Sequence, residues 1–173
     1  NTIDVNFSIE LAHENDHYVE IDHNWIKGTV SIPKNGGGTL PTGSDPYTFH
    51  IHHNYFQKTY SLEWARNGAE VDHNLFDFQT SDDVGNLITD FSNSSVPASN
   101  GWMKFHDNLV KNPGRGIYAS SGHVYNNISF YNNHVVGNTT ATPRTEGMFG
   151  FPTATDFSTI AIKDNIFEFN GTS

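Results

Sequence analysis

The stretch EVDHNLF, residues 70–76, decides how the chain is read, because it recurs. EIDHNWI occupies residues 20–26 and HIHHNYF residues 50–56. Looser copies follow as KFHDNLV at 104–110, HVYNNIS at 123–129 and AIKDNIF at 161–167. The pattern apolar–x–x–Asn–x–apolar aligns them on Asn24, Asn54, Asn74, Asn108, Asn127 and Asn165. The separations are 30, 20, 34, 19 and 38 residues, so a unit near twenty residues recurs with insertions. An acid, a histidine and an asparagine this close are also the side chains of a metal site or a catalytic cluster. Repetition favours architecture first.

A second, weaker repeat precedes the first. SIELAH (8–13), SLEWAR (61–66) and GIYASS (116–121) resemble one another. GTVSI (28–32), LITDF (87–91) and GMFGF (147–151) fill the same slot elsewhere. The apolar runs are short, β-branched or aromatic, and bounded by Gly, Asn and Pro, which predicts strands. No amphipathic helical period competes. Each unit reads as strand, turn, strand, Asn turn and a short third strand.

The bulk composition narrows the function classes. The 173 residues are read as a single domain, 1–173, long enough to bury a core. With 9 Lys plus Arg against 19 Asp plus Glu, a net charge of −10 argues against nucleic acid, whose phosphates need clustered cations. The absence of cysteine removes disulfides, thiolate metal sites and a Cys nucleophile. No apolar run is long enough to span a membrane. A chain rich in Asn, Gly, Ser, Thr and aromatics, with few charges, points to a secreted or cell-surface bacterial protein.

A twenty-residue unit of three short strands cannot bury its apolar face alone, whereas stacked units can. An equivalent Asn in each unit then bonds its neighbours and satisfies turn groups. This arrangement resembles the right-handed parallel β-helix of the pectate-lyase-like superfamily. It implies an all-β solenoid of about six coils with an Asn ladder. An ordinary β-sandwich is the structural alternative. Such a chain begins and ends within a coil, which points to a segment of a longer protein or to end-on contact with another chain or domain.

Strand side chains alternate between faces. The second position of the repeat (Ile21, Ile51, Val71, Phe105, Val124, Ile162) should point inward. The first position then gives an outward row Glu20, His50, Glu70, Lys104 and His123. The third gives Asp22, His52, Asp72, His106, Tyr125 and Lys163. Alternating charge relieves repulsion along a parallel sheet. The competing reading is a site for a metal or a substrate, with His52 and His106 as substrate contacts. His23, His53 and His73 lead the turns, where local hydrogen bonding is expected.

The resemblance moves attention to the other strand row, since substrate grooves in the superfamily run along one sheet and its flanking loops. That row is expected to hold Glu10, Ser31, Glu63, Thr89 or Asp90, Tyr118 and Gly150, flanked by His13, Arg66 and Arg115. Acid, Arg and Tyr suit β-elimination on a uronate, which needs a neutralised carboxylate, a base and an acid for the leaving oxygen. The catalytic candidates are Arg66, Arg115, Glu63, Tyr118 and Glu10. The resemblance implies Ca²⁺ as neutraliser, and Glu10, Glu63 and Asp90 could supply hard oxygen ligands. Trp64, Trp102 and His13 join His52 and His106 as substrate contacts, the tryptophans by stacking on sugar rings. Long segments at 33–47, 92–101, 137–146 and 152–158 are expected to wall a groove.

The expected function is therefore an extracellular polysaccharide lyase acting on an acidic glycan. The alternatives are a glycoside hydrolase on the same scaffold and a non-catalytic glycan-binding, adhesin or tailspike-like module. For a hydrolase, Glu10 and Glu63 two coils apart would lie about 10 Å from each other, slightly beyond the separation of inverting carboxyls.

Overall fold

The computed structural model describes residues 1–5, 7–11, 18–28, 30–35, 48–57, 60–63, 69–78, 86–89, 103–113, 115–118, 128–138, 149–150 and 157–170. These residues are nearly all β, as the short β-branched and aromatic runs require. The single helical element among them is a short 3₁₀ turn at Phe157–Thr159. The strands form three parallel sheets, and each sheet takes every third strand of the chain.

The leading sheet enters the Asn turn. It comprises Tyr18–Asp22, Thr48–His52, Ala69–Asp72, Met103–His106, Ile128–Tyr131 and Ile160–Lys163. The trailing sheet leaves the turn. It comprises Thr2–Ile3, Trp25–Ile26, Tyr55–Phe56, Leu75–Asp77, Leu109–Lys111, His134–Asn138 and Ile166–Asn170. The third sheet contains Phe7–Leu11, Val30–Asn35, Tyr60–Glu63, Asn86–Thr89, Arg115–Tyr118 and Phe149–Gly150. All six segments of the weaker sequence repeat contribute to this third sheet. Parallel sheets interleaved in this order are compatible with a parallel β-helix.

The core follows from the pleat. In the leading sheet Ile21, Ile51, Val71, Phe105 and Phe130 are buried. In the trailing sheet Ile26, Phe56, Phe76, Val110 and Val135 are buried. Aromatic rings join the sheets: Phe76 stacks on Phe105 at 5.5 Å, and Phe149 of the third sheet meets both Phe130 and Phe167 edge-on. The rows lose their cover at one end. Ile162 is 41% exposed and Phe167 38%, although their row neighbours Phe130 and Val135 are wholly buried.

Six asparagines hold the turns together, and they run Asn24, Asn54, Asn74, Asn108, Asn133, Asn165. The side-chain oxygen of each one after Asn24 accepts from the backbone N–H of the preceding one at 2.9–3.1 Å. The side-chain amide donates back to a leading-strand carbonyl of the previous unit, as Asn54 does to Ile21 at 2.7 Å and Asn108 to Val71 at 2.8 Å. It also reaches the carbonyl two residues before it, as Asn74 does to Asp72 at 2.9 Å. Only a short side chain with both an acceptor and an NH₂ can fill this role, which is why Asn recurs and Asp or Ser does not.

The fifth rung corrects the sequence alignment. It is Asn133, which accepts from Asn108 and donates to Asn165, and not Asn127. The rows shift accordingly: Phe130 replaces Val124 in the core, and Ser129 and Tyr131 replace His123 and Tyr125 outside. Residues 123–127 lie outside the described residues. Two Asn-Asn pairs, at 126–127 and 132–133, offered two registers. The sixth pattern position separates them, since Val135 is apolar and buried where the other register has Ser129.

Candidate functional site

The residue before each rung has positive φ: His23, His53, His73, Asp107, Asn132 and Asp164 lie at 52–56°. This left-handed region is costly for most side chains, and Asn, Asp and His are the residues that tolerate it best. The histidines that lead the turns are thereby explained. His23 and His73 bond through Nδ1 to the carboxylates just before them, at 2.9 Å and 2.7 Å. The rings of His23, His53 and His73 stack from unit to unit at 5.1 Å and 5.2 Å, the strand spacing of the sheet.

The outward rows of the leading sheet occur in the expected register. Glu20, His50, Glu70 and Lys104 are successive partners, as are Asp22, His52, Asp72, His106 and Tyr131. Their pairing, however, runs diagonally between rows instead of along them. His52 Nε2 lies 2.8 Å from Glu20, His50 Nε2 2.7 Å from Asp72, and His106 Nε2 3.1 Å from Glu70. A diagonal neighbour across a strand pair is within reach of a long side chain, and the imidazole supplies that length.

The second ring nitrogens of His52 and His106 are engaged too. His52 Nδ1 is 2.7 Å from His53 Nδ1, so one ring donates and the other accepts. His106 Nδ1 is 2.6 Å from Asp107. Asp72 takes His50 on one oxygen and His73 on the other, both at 2.7 Å. Burial pushes the Asp72 carboxyl upward, but the hydrogen bonds from His73 and His50, with the charges of His50 and His106, hold it below the usual aspartate range. Asp22 is held low mainly by its hydrogen bond with His23, against a smaller opposing effect of burial.

One part of this lattice differs from the rest. His50 and His52, two apart on one strand, share a face and bring their ring centroids to 4.0 Å. A nitrogen of each and an oxygen of Glu20 all lie within 4.8 Å of one another. Two imidazoles and a carboxylate in that space can exchange protons or hold a cation. The sequence points to His52 as a substrate contact and to Glu20 and His50 as members of the charge row. The signal was present in HIHH, where alternation already puts His50 and His52 on one face.

The third sheet aligns part of the expected row in register. Glu63, Thr89, Tyr118 and Gly150 are successive register partners. Arg115 starts the Tyr118 strand and pairs with Asn86. Glu10 and Ser31 do not belong to the row. An irregularity between Ser8 and Glu10 sets Glu10 opposite Lys34, while Ser31 pairs with Ser61, two residues before Glu63. Arg66, Trp64, Trp102, His13 and Asp90 lie outside the described residues.

Comparisons with protein-family models, with curated proteins and with solved structures returned no match. Among the described residues no helix is long and apolar enough to cross a membrane.

Proposed function

We propose that the chain is a right-handed parallel β-helix of about six coils, of pectate-lyase-like kind, and that it cleaves an extracellular acidic polysaccharide by β-elimination. The fold part is supported by the three interleaved parallel sheets and the Asn ladder. The activity is supported by one observation: the register that sets Glu63, Thr89 and Tyr118 side by side on neighbouring strands, with Arg115 opening the Tyr118 strand. Residues of these three types in register on neighbouring strands, whose backbones run about 4.8 Å apart, suit a sugar chain laid across the sheet.

In this reading Arg115 or Arg66 takes the proton beside the uronate carboxylate, and Tyr118 protonates the leaving oxygen. A chain of net charge −10 repels a polyanion unless cations meet it locally. Ca²⁺ bound there would supply that neutralisation. Glu63 and Asp90 are hard oxygen donors of the right type, whereas Glu10, opposite Lys34, stands apart from Glu63. The same displacement leaves Glu10 and Glu63 without a common row for a hydrolase pair.

A second reading, a glycan-binding module without catalysis, has its own support. Trp25 is 41% exposed, stacks on Tyr55 at 6.0 Å, and is fixed by a 2.7 Å bond from its indole to Gln57. Such a rigid aromatic pair suits a sugar face. End-on contact with another chain or domain would cover Ile162 and Phe167 in either reading.

Incubation with a panel of acidic and neutral polysaccharides, with and without chelator, tests the proposal. A lyase yields unsaturated uronates that absorb in the ultraviolet, and Arg115→Ala or Arg66→Ala suppresses them. Reducing ends without that absorbance indicate a hydrolase. Retention on a polysaccharide gel without cleavage indicates the binding module.

A further inference from the structure

The leading-sheet lattice holds four carboxylates, Glu20, Asp22, Glu70 and Asp72, around its imidazoles. Elsewhere an acid meets imidazoles from separate units: His106 meets Glu70, His23 meets Asp22, and Asp72 takes His50 and His73. At Glu20 the pattern changes, because two imidazoles of one strand converge with the carboxylate of the next. Charge pairing accounts for His52 through Glu20 and for His50 through Asp72, but it does not require both rings to stand within reach of the same carboxylate.

We propose that Glu20, His50 and His52 form a binding site for a divalent first-row transition ion. The ion is held by Nε2 of His52, a nitrogen of His50 and a carboxylate oxygen of Glu20. Two imidazoles and one carboxylate are the donor set of zinc and of non-haem iron sites that keep positions open. Hard ions such as Ca²⁺ and Mg²⁺ prefer all-oxygen shells, so this site selects against them.

The donor distances need little change, while the His50 ring, stacked on His52 at 30°, must turn to aim its nitrogen at the ion. Ligands about 2.1 Å from a tetrahedral ion stand roughly 3.4 Å apart. The His52–Glu20 contact of 2.8 Å must open slightly, and the widest separation, no more than 4.8 Å, must close. Glu20 is the half-exposed member and is free to swing, while His52 is only 13% exposed and fixed. The outer contacts are in place as well. His53 holds Nδ1 of His52, and Asp72 holds His50. Metal-bound imidazoles commonly have such partners, which fix ring orientation and tune affinity. This site lies on a different sheet from Glu63 and Tyr118 and is independent of the lyase proposal.

Cobalt(II) is the probe, added to chelator-treated protein and followed by its visible absorption and by calorimetry. The expected result is one Co²⁺ per chain, displaced by Zn²⁺ and not by equimolar Ca²⁺. His50→Ala and His52→Ala should abolish the band. Asp72→Asn should weaken binding about 10- to 100-fold, as loss of an outer partner does. Glu20→Gln keeps the size of the side chain and should weaken binding with the fold intact by circular dichroism. His106→Ala, on the same face, should bind as the unaltered protein does. Absence of a band from folded protein overturns the proposal. So does a band that survives in Glu20→Gln and in both histidine variants, equal loss in His106→Ala, or displacement by Ca²⁺ as effective as by Zn²⁺.

Discussion

The two faces of the leading sheet are built from the same strands and obey different rules. Inward, each row repeats one chemistry: Ile, Ile, Val, Phe and Phe from Ile21 to Phe130, with the Asn ladder beside them. Outward, the rows change residue type at every step and pair diagonally. A buried row has no water to fall back on, so each rung must satisfy the next with the same groups. An exposed row is solvated anyway, and its side chains are free to specialise. Repetition therefore marks the architecture, and departure from repetition marks candidate chemistry.

The largest effect that tests this contrast is expected from the core. Phe105→Ala removes a ring that lies between Phe76 and Phe130 and is fully buried. It should cost about 3–5 kcal/mol, read as a lower denaturant midpoint. The ladder comes next. Asn74→Ala leaves Ile51 O, Asp72 O and the Asn54 and Asn108 side chains without their partner. A loss of roughly 2–4 kcal/mol follows if two or so of these groups stay buried and unpaired. Unfolding unchanged by this substitution would mean that the ladder is a consequence of stacking and not a cause.

Outside, effects should shrink. Tyr131 stacks on His106 at 4.6 Å, and burial, then the charges of Glu70, Asp107 and Asp72, raises its pKa above the usual 10.0. A folded-state value above the unfolded one gives stability that is whole below pH 10 and is lost as pH rises through the folded value. Thermal melting followed into the alkaline range should accordingly fall less steeply in Tyr131→Phe. Smallest of all, Lys104→Ala removes an exposed 3.8 Å contact with Glu70 and should change stability by less than about 0.5 kcal/mol in chemical denaturation.

The same contrast governs what could be read from sequence. Asn24, Asn54, Asn74, Asn108 and Asn165 were legible because a buried rung accepts one residue type. Asn133 was not, because an Asn-Asn doublet occurs twice and only the sixth position of the pattern tells the two registers apart. The outward rows were legible as rows, since register follows from the core. The diagonal pairing was not, because it depends on the lean and length of each side chain across two strands. In the third sheet, the Glu63, Thr89 and Tyr118 alignment was legible, and the displacement of Glu10 was not. A one-residue irregularity between Ser8 and Glu10 leaves no mark in the residue types around it.

The rungs stand 30, 20, 34, 25 and 32 residues apart, yet their N–H to oxygen distances agree within a few tenths of an ångström. Stacking is thus blind to contour length between turns. For protein engineering, that makes the chain a rack with variable slots. A foreign peptide spliced into the longest interval, between Asn74 and Asn108, should be displayed without loss of the frame, whereas a single residue added between Asp72 and Asn74 should break it.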